Sequence, residues 1–314
     1  MRHIGKKLLM MAATLMAVSF FVFLSFSVMS GDPATSMLGT QATPEKVEAL
    51  REEMGLNDPF FVRYFRWAGH FLTGDMGTSY SYRMPVGTMI ADKVPVTLML
   101  TLLAFVIMTA AAVPVGIYTA KHEGGFADRF IYILNQIMMA VPPFFSGILI
   151  TFLFGRILKL FTPGGYVSYQ EDFGRFIGYM IFPAIAIALP KAAMAAKLLR
   201  SSVLSEVKKD YVRTAYSRGN RSNQVFYRHI LKNALIPVIT FLGMALADMV
   251  AGSIIIEQVF SIPGLGRILL TSISNRDYPV VEAIIICIAF IVVAVNFAVD
   301  IVYQLIDPRI SVEE

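Results

Sequence analysis

The sequence predicts an all-α membrane protein of six transmembrane helices, and three observations carry that prediction. Hydrophobic residues make up 56% of the 314 and charged residues only 16%, with a mean hydropathy of +0.64. Soluble domains carry about 45–50% apolar and about 25% charged residues, so one protein core cannot absorb this excess. The apolar residues also gather in six runs, 8–29, 96–120, 130–154, 176–196, 235–256 and 280–306. Each suffices to cross a hydrocarbon core about 30 Å thick, which takes about 20 residues at about 1.5 Å each. Inside lipid every backbone N–H and C=O must find its partner within the segment, which makes the runs helices. The low charge excludes a disordered chain. The single cysteine, Cys287, excludes a disulfide-stapled secreted domain, and His3, His70, His122 and His229 are too scattered for a zinc site.

The first run follows Arg2, Lys6 and Lys7. Its 22 residues exceed the core of a signal peptide and no A-x-A site follows, so it reads as a retained membrane helix. The segment 30–95 then leaves the membrane. Thr43-Pro44 is a helix start, with a side-chain oxygen to cap and proline at the first helical position. That helix, 44–54, stops at Gly55, and Asp58-Pro59 opens a second over 60–72. Its aromatics Phe60, Phe61, Tyr64, Phe65, Trp67 and Phe71 suit a helix at the membrane interface. Together these helices read as a small extracytoplasmic cap on the outer helix ends, as a docking surface for a partner, or as both.

In the membrane, Pro142-Pro143 in the third run and Pro183 and Pro190 in the fourth predict kinks. Gly243, Ala247 and Ala251 form a four-residue repeat of small side chains that lets another helix approach. Asp248 falls in the middle of the fifth run, and Glu282 near the outer end of the sixth. Intramembrane acids normally face protein or water, so Asp248 is either a pathway or gate residue or a hydrogen-bonded structural one. Asn296 and Asp300, one turn apart, read as an interhelical clasp.

Basic residues orient the chain. The segment 191–233 holds ten (Lys191, Lys197, Arg200, Lys208, Lys209, Arg213, Arg218, Arg221, Arg228 and Lys232), opposed only by Glu206 and Asp210. The positive-inside rule puts this loop, the N-terminal tail and the C-terminus in the cytoplasm. The segment 30–95, with six basic and eight acidic residues, lies outside. Within the loop, 210–219 predicts a short helix that Asp210 caps and Gly219 ends, with Val212, Ala215 and Tyr216 on one face. A helix resumes from 221 into the fifth run. The outer loop 257–279 turns at Pro263-Gly264 and Gly266 and holds a short helix over 268–273. Asp277-Tyr278-Pro279 starts the last run. No G-x-x-x-x-G-K-[ST], G-x-S-x-G or H-E-x-x-H occurs, which argues against an ATPase, an α/β-hydrolase or a zinc protease.

The run Asp210-Tyr211-Val212-Arg213-Thr214-Ala215-Tyr216-Ser217-Arg218-Gly219, continued by Tyr227-Arg228-His229-Ile230-Leu231-Lys232-Asn233-Ala234-Leu235-Ile236-Pro237, resembles the coupling motif of ABC importer permeases. It is most similar to the B-type subunit of the dipeptide/oligopeptide branch. Four further stretches fit that branch: Gly74-Asp75-Met76-Gly77-Thr78-Ser79, Val259-Phe260-Ser261-Ile262-Pro263-Gly264-Leu265-Gly266, Arg276-Asp277-Tyr278-Pro279-Val280-Val281 and the ending Asp307-Pro308-Arg309. The general motif E-A-A-x-x-x-G-x(9)-I-x-L-P is not kept throughout. Arg213 and Thr214 replace its first two letters, and Lys232 stands at its proline, with Pro237 five residues on.

The resemblance implies a type I ABC importer fold, similar to the methionine-importer permease, over about residues 92–307. Residues 1–91 would supply the first helix and cap, and 308–314 a cytoplasmic tail. The chain would be a non-catalytic permease subunit in a prokaryotic plasma (inner) membrane. It would form half of a pore for di- or oligopeptides, or for a related solute such as a nickel chelate or glutathione. The implied partners are a paralogous permease, two cytoplasmic ATPases that bind ATP and Mg, and an extracytoplasmic solute-binding protein, with no nucleic acid. This chain would hold no cofactor or metal. Asp210, Tyr211, Arg213, Thr214, Ala215, Arg218, Gly219 and Pro237 would form the ATPase-coupling loop, the apolar face of the helix docking while its basic residues meet acids. Asp248, Pro263, Gly264 and Gly266 are candidate pathway or gate residues. The competing reading is a self-sufficient ion-coupled transporter or channel working through Asp248 or Asp300, though no repeat relates runs 1–3 to runs 4–6.

Overall fold

The computed structural model describes residues 2–29, 33–39, 42–53 and 55–306. Met54, the 307–309 ending and the tail lie outside the described residues, as do the side chains of Arg2, His3 and Asp300. The described chain is helical: α1 Arg2–Met29, α2 Pro33–Leu38, α3 Pro44–Glu53, α4 Phe60–Leu72, α5 Val86–Ala91, α6 Lys93–Lys121 and α7 Phe126–Ala140. Then come α8 Pro143–Ile150 with a π-helical extension Thr151–Ile157, α9 Phe173–Val207, α10 Asp210–Ser217 and α11 Ser222–Val225 with a π-helical turn Phe226–Ile230. The last three are α12 Leu231–Val259, α13 Leu265–Ser274 and α14 Tyr278–Ile306.

Among the described residues five helices are long and apolar enough to cross a membrane, within α1, α5–α6, α9, α11–α12 and α14. The third predicted run is not one rod. Its two halves, α7 and α8 with its extension, meet at a bend of 104° and make a sixth span only as a pair. Val141 leaves the helix in an extended conformation, as a residue before proline must, and Pro143 starts α8 at the first helical position. The kink expected at Pro142-Pro143 is thus a break. By contrast α9 runs on as one helix through Pro183 and Pro190 to Val207, well past the predicted end at 196. Lys191, Lys197 and Arg200, counted as loop residues in the orientation argument, are therefore helical.

The chain divides into two compact units. One comprises residues up to Val96 together with Pro263–Phe297. In it α1 packs on α4 through aromatic rings, with Phe23 centred 5.5 Å from Phe60 and 5.3 Å from Trp67. The Tyr64 hydroxyl lies 2.9 Å from Ser19 Oγ. The aromatics of α4 thus divide: Tyr64 is buried, whereas Phe61 and Phe65 stay exposed for an apolar surrounding. Thr43 accepts from the Lys46 N–H at the start of α3. Asp58 instead pairs with Arg66 at 2.8 Å and does not cap α4.

The other unit holds Thr97–Ile262 and the chain from Ala298 on. Its core is the packing of α9 on α12, flanked by α7 and α8. Gly243 does the work predicted for it: a Cβ there would fall 2.1 Å from Val299 Cγ1, so only glycine admits α14 at this distance. Ala247 is buried, but Ala251 is exposed, so the repeat breaks after two members.

Candidate functional site

The basic segment resolves into a helix with two distinct faces. Gly219, at φ +79°, ends α10 in the left-handed region where a Cβ is disfavoured, and its N–H bonds the Tyr216 carbonyl at 2.9 Å. Asn220 Nδ2 donates to the Ala215 carbonyl at 3.0 Å. The start differs from expectation: Lys209 is the cap residue and no side chain caps it. Asp210 is the first helical residue, nearly fully exposed, and its carboxylate lies 3.8 Å from Arg213. An acid there still complements the positive end of the helix dipole.

The inner face of α10 is spent on its own chain. Val212 and Ala215 are buried in one cluster with Leu199 and Val203 of α9 and Ile230, Ala234 and Val238 beyond it. The expected docking by the apolar face is therefore corrected. Spaced three apart, Val212 and Ala215 point to the side where the two long helices need covering, and apolar area is favourably removed from water there at about 25 cal/mol per Å². Tyr216, predicted on the same face, is half exposed, with its hydroxyl 3.4 Å from Ser222 Oγ. The outer face shows Asp210, Arg213, Thr214, Ser217 and Arg218. Tyr211 is held at the edge, donating to Glu206 at 2.7 Å, and its burial pushes the phenol above its ordinary value. Pro237, exposed in α12, lies two turns past the π-helical turn.

That turn is clamped. The Lys121 ammonium at the end of α6 sits 4.4 Å from the Phe226 ring centre and 4.3 Å from that of Tyr227, and donates to the Tyr227 hydroxyl at 3.0 Å. Nearby, Asp128 of α7 and Arg200 of α9 form a two-pronged pair, both bonds at 2.7 Å, with Asp128 buried and also accepting from the Gly124 N–H. With Glu123, Arg129, Tyr132 and Ile133 they line an open groove of about 510 Å³. Neither the Arg200–Asp128 pair nor the Lys121 clamp was legible beforehand, because their partners lie 72 and 106 residues apart.

Of the candidate pathway residues, Asp248 is ion-paired with Lys191, joining the middles of α12 and α9. Pro263, Gly264 and Gly266 open α13, with Gly264 extended at its cap and both glycines buried. They belong to the other unit. Asn296 is exposed, and its expected clasp with Asp300 falls on a side chain outside the described residues.

Besides Asp128, the roles of two further buried acids escape sequence reading. Glu257, at the end of α12, accepts from Thr97 Oγ1 at 2.6 Å, both fully enclosed. Asp277 draws together two of the motifs singled out above. Fully buried, it accepts from Ser79 Oγ at 2.5 Å and from the N–H groups of Tyr80 and Ser81 at 2.9 and 3.2 Å. It thereby ties the 74–79 loop to the start of α14. In the same loop, the hydrogen bond from His70 and the Gly77 N–H hold the Asp75 carboxyl below its usual range. Burial pushes the Tyr80 phenol up. Among the described residues no group of three or more His, Cys, Asp or Glu side chains is placed to hold a metal ion.

Long apolar helices, a span bent at a break, and a short two-faced helix seated between the ends of two spans define a helical membrane protein whose α10 leaves one face polar and exposed. Two family models cover the chain. Residues 112–312 match the binding-protein-dependent transport system inner membrane component, and residues 1–101 match the N-terminal part of such a membrane component. The chain belongs to this family of ABC importer permeases and has its type I fold. It is 34% identical over 312 residues to an oligopeptide transport system permease of Bacillus subtilis, covering 98% of this chain and 99% of that one. A probable peptide ABC transporter permease of Sinorhizobium fredii is 33% identical, with 98% of each chain covered. A glutathione transport system permease of Salmonella paratyphi A is also 33% identical, with 99% of each covered. The protein is thus a non-catalytic permease subunit of an inner-membrane ABC importer, working with ATPase and substrate-binding partners. Membership in this family sets aside the self-sufficient transporter.

Proposed function

We propose that this chain forms half of an import pore for di- or oligopeptides or a related solute such as glutathione or a nickel chelate, paired with a paralogous permease. Two cytoplasmic ATPases bind ATP and Mg; this chain holds no cofactor. Residues 197–234 and both termini face the cytoplasm, and the 30–95 cap faces outward, where the binding protein delivers solute. The relatives named for peptides and glutathione support the solute class.

The observation that carries the coupling role is the division of α10 into a buried inner face and a charged outer face. Its polar outer residues sit in the ATPase groove, while Val212 and Ala215 bind it rigidly to α9 and α12. When ATP closes the ATPases, α10 moves as a solid piece and carries both spans with it, switching the pore between its two openings. Arg213→Glu reverses charge on the outer face, 81% exposed, without touching the core. The variant complex is expected to lose most ATP-driven uptake in vesicles, and its ATPases to be washed off by salt sooner than in wild type. Uptake and ATPase retention equal to wild type would refute the seating.

A further inference from the structure

Lys191 and Asp248 are two charges at the middles of two helices that are otherwise apolar at that level. Lys191 is residue 19 of the 35 in α9, and Asp248 is residue 18 of the 29 in α12. Their side chains pair with each other, yet the Asp248 side chain is 60% exposed and that of Lys191 28% exposed. Charge at this depth does not face lipid, because hydrocarbon offers neither hydration nor hydrogen bonds. On another side of α9, toward α7, two further basic residues are also partnered within the chain. Six residues on, about 9 Å at about 1.5 Å per residue, Lys197 donates to Gln136 Oε1 at 3.1 Å and lies over the Tyr132 ring at 5.7 Å. Three residues further comes the Arg200–Asp128 pair. A charge pair this deep on an exposed face marks a wet route. A face meant for lipid would be apolar throughout.

We propose that Lys191 and Asp248 are a charge-pair station in the translocation path that parts to hold a zwitterionic solute, Asp248 taking its ammonium and Lys191 its carboxylate. The inference rests on the peptide reading above and deepens it. A zwitterion brings one charge for each partner, so the ion pair exchanges for two new ones and no charge at this depth is left bare. A simple cation or anion would satisfy one partner and strand the other, and stranding a desolvated charge is strongly unfavourable. In the absence of solute the two side chains close on each other. The station thus favours molecules with both charges over lone ions. Met244, 67% exposed, and Ile255, 52% exposed, flank Asp248 on α12 and offer apolar contact to solute side chains.

The test uses the whole importer, with both permeases, the ATPases and the binding protein, in proteoliposomes. In the double variant Lys191→Met/Asp248→Leu both charges go together, so no unpaired charge remains and folding is spared, as expected for a pair with a merely structural role. Peptide uptake is expected to fall at least tenfold while ATPase stimulation by peptide-loaded binding protein stays within twofold of wild type. In a Cys287→Ala background, Met244→Cys is expected to react with a charged, water-soluble thiosulfonate, and transported dipeptide is expected to slow that reaction. Uptake by the double variant within twofold of wild type would overturn the station, as would a Met244→Cys thiol that the reagent cannot reach because the partner permease covers this face. If the unaltered complex moves no peptide, the peptide reading itself falls and the station with it.

Discussion

Replacing Asp277 with alanine removes the acceptor shared by three donors of the 79–81 loop. The bonds from Ser79 Oγ, Tyr80 N and Ser81 N measure 2.5, 2.9 and 3.2 Å, and the carboxylate is fully enclosed. A hydrogen bond to a charged group contributes about 1.5–3 kcal/mol. At the low end three bonds sum to about 4.5 kcal/mol. The Ser79 hydroxyl can re-aim, but the two amides cannot, which leaves about 3 kcal/mol. Opening of this loop would then become about a hundredfold more frequent, since each 1.4 kcal/mol is a factor of about ten. Hydrogen–deuterium exchange of the nanodisc-held complex reads this directly at Tyr80 and Ser81. Asp277→Asn keeps one acceptor oxygen and is expected to speed exchange only about tenfold. Exchange at these two amides less than threefold faster in the alanine variant would refute the reasoning. So would an equal acceleration throughout α6, which would mean global loosening.

Three further outcomes follow from the packing. Gly243→Ala, whose Cβ would meet Val299 Cγ1 at 2.1 Å, is expected to lower the thermal midpoint of the detergent-held complex, and Val299→Ala in the same chain to restore most of it. Lys121→Met removes the ammonium from the Phe226 and Tyr227 rings, a contribution of about 1–2 kcal/mol. Uptake measured against ATP hydrolysed is expected to fall severalfold, and an unchanged ratio would show the π-helical turn to be immaterial to coupling. Arg200→Met removes the ion partner of the Asp128 carboxylate and is expected to lower the thermal midpoint of the complex. Arg200→Met/Asp128→Leu, in which both charges are gone, should melt close to wild type.

Element existence was readable from sequence wherever the signal is local. Length and hydropathy marked the membrane runs, and Thr43-Pro44, Asp58-Pro59 and Gly219 marked helix ends through their backbone geometry. Proline at 142–143 announced a disturbance, but not that α7 and α8 would part by 104°, since the angle depends on what each half packs against. The true length of α9 was hidden because Lys191, Lys197 and Arg200 read as the flank of a span. Their partners Asp248, Gln136 and Asp128 lie 57, 61 and 72 residues away. The same distance in sequence concealed Asp277, whose bonds reach back across 196 to 198 residues. The periodicity of α10 gave its apolar face correctly at Val212 and Ala215. It could not say whether that face meets another chain or this one.

That last point bears on how such importers diverge. The inner face of α10 answers to α9 and α12 and, in the coupling role proposed above, its outer face answers to a different polypeptide. Substitutions at Val212 or Ala215 must be matched within this chain, whereas those at Arg213, Thr214 or Arg218 need be matched only by the partner. The two faces are therefore free to drift on separate clocks. A handful of outward residues is the natural unit to exchange when one permease is to be re-addressed to another system's motor.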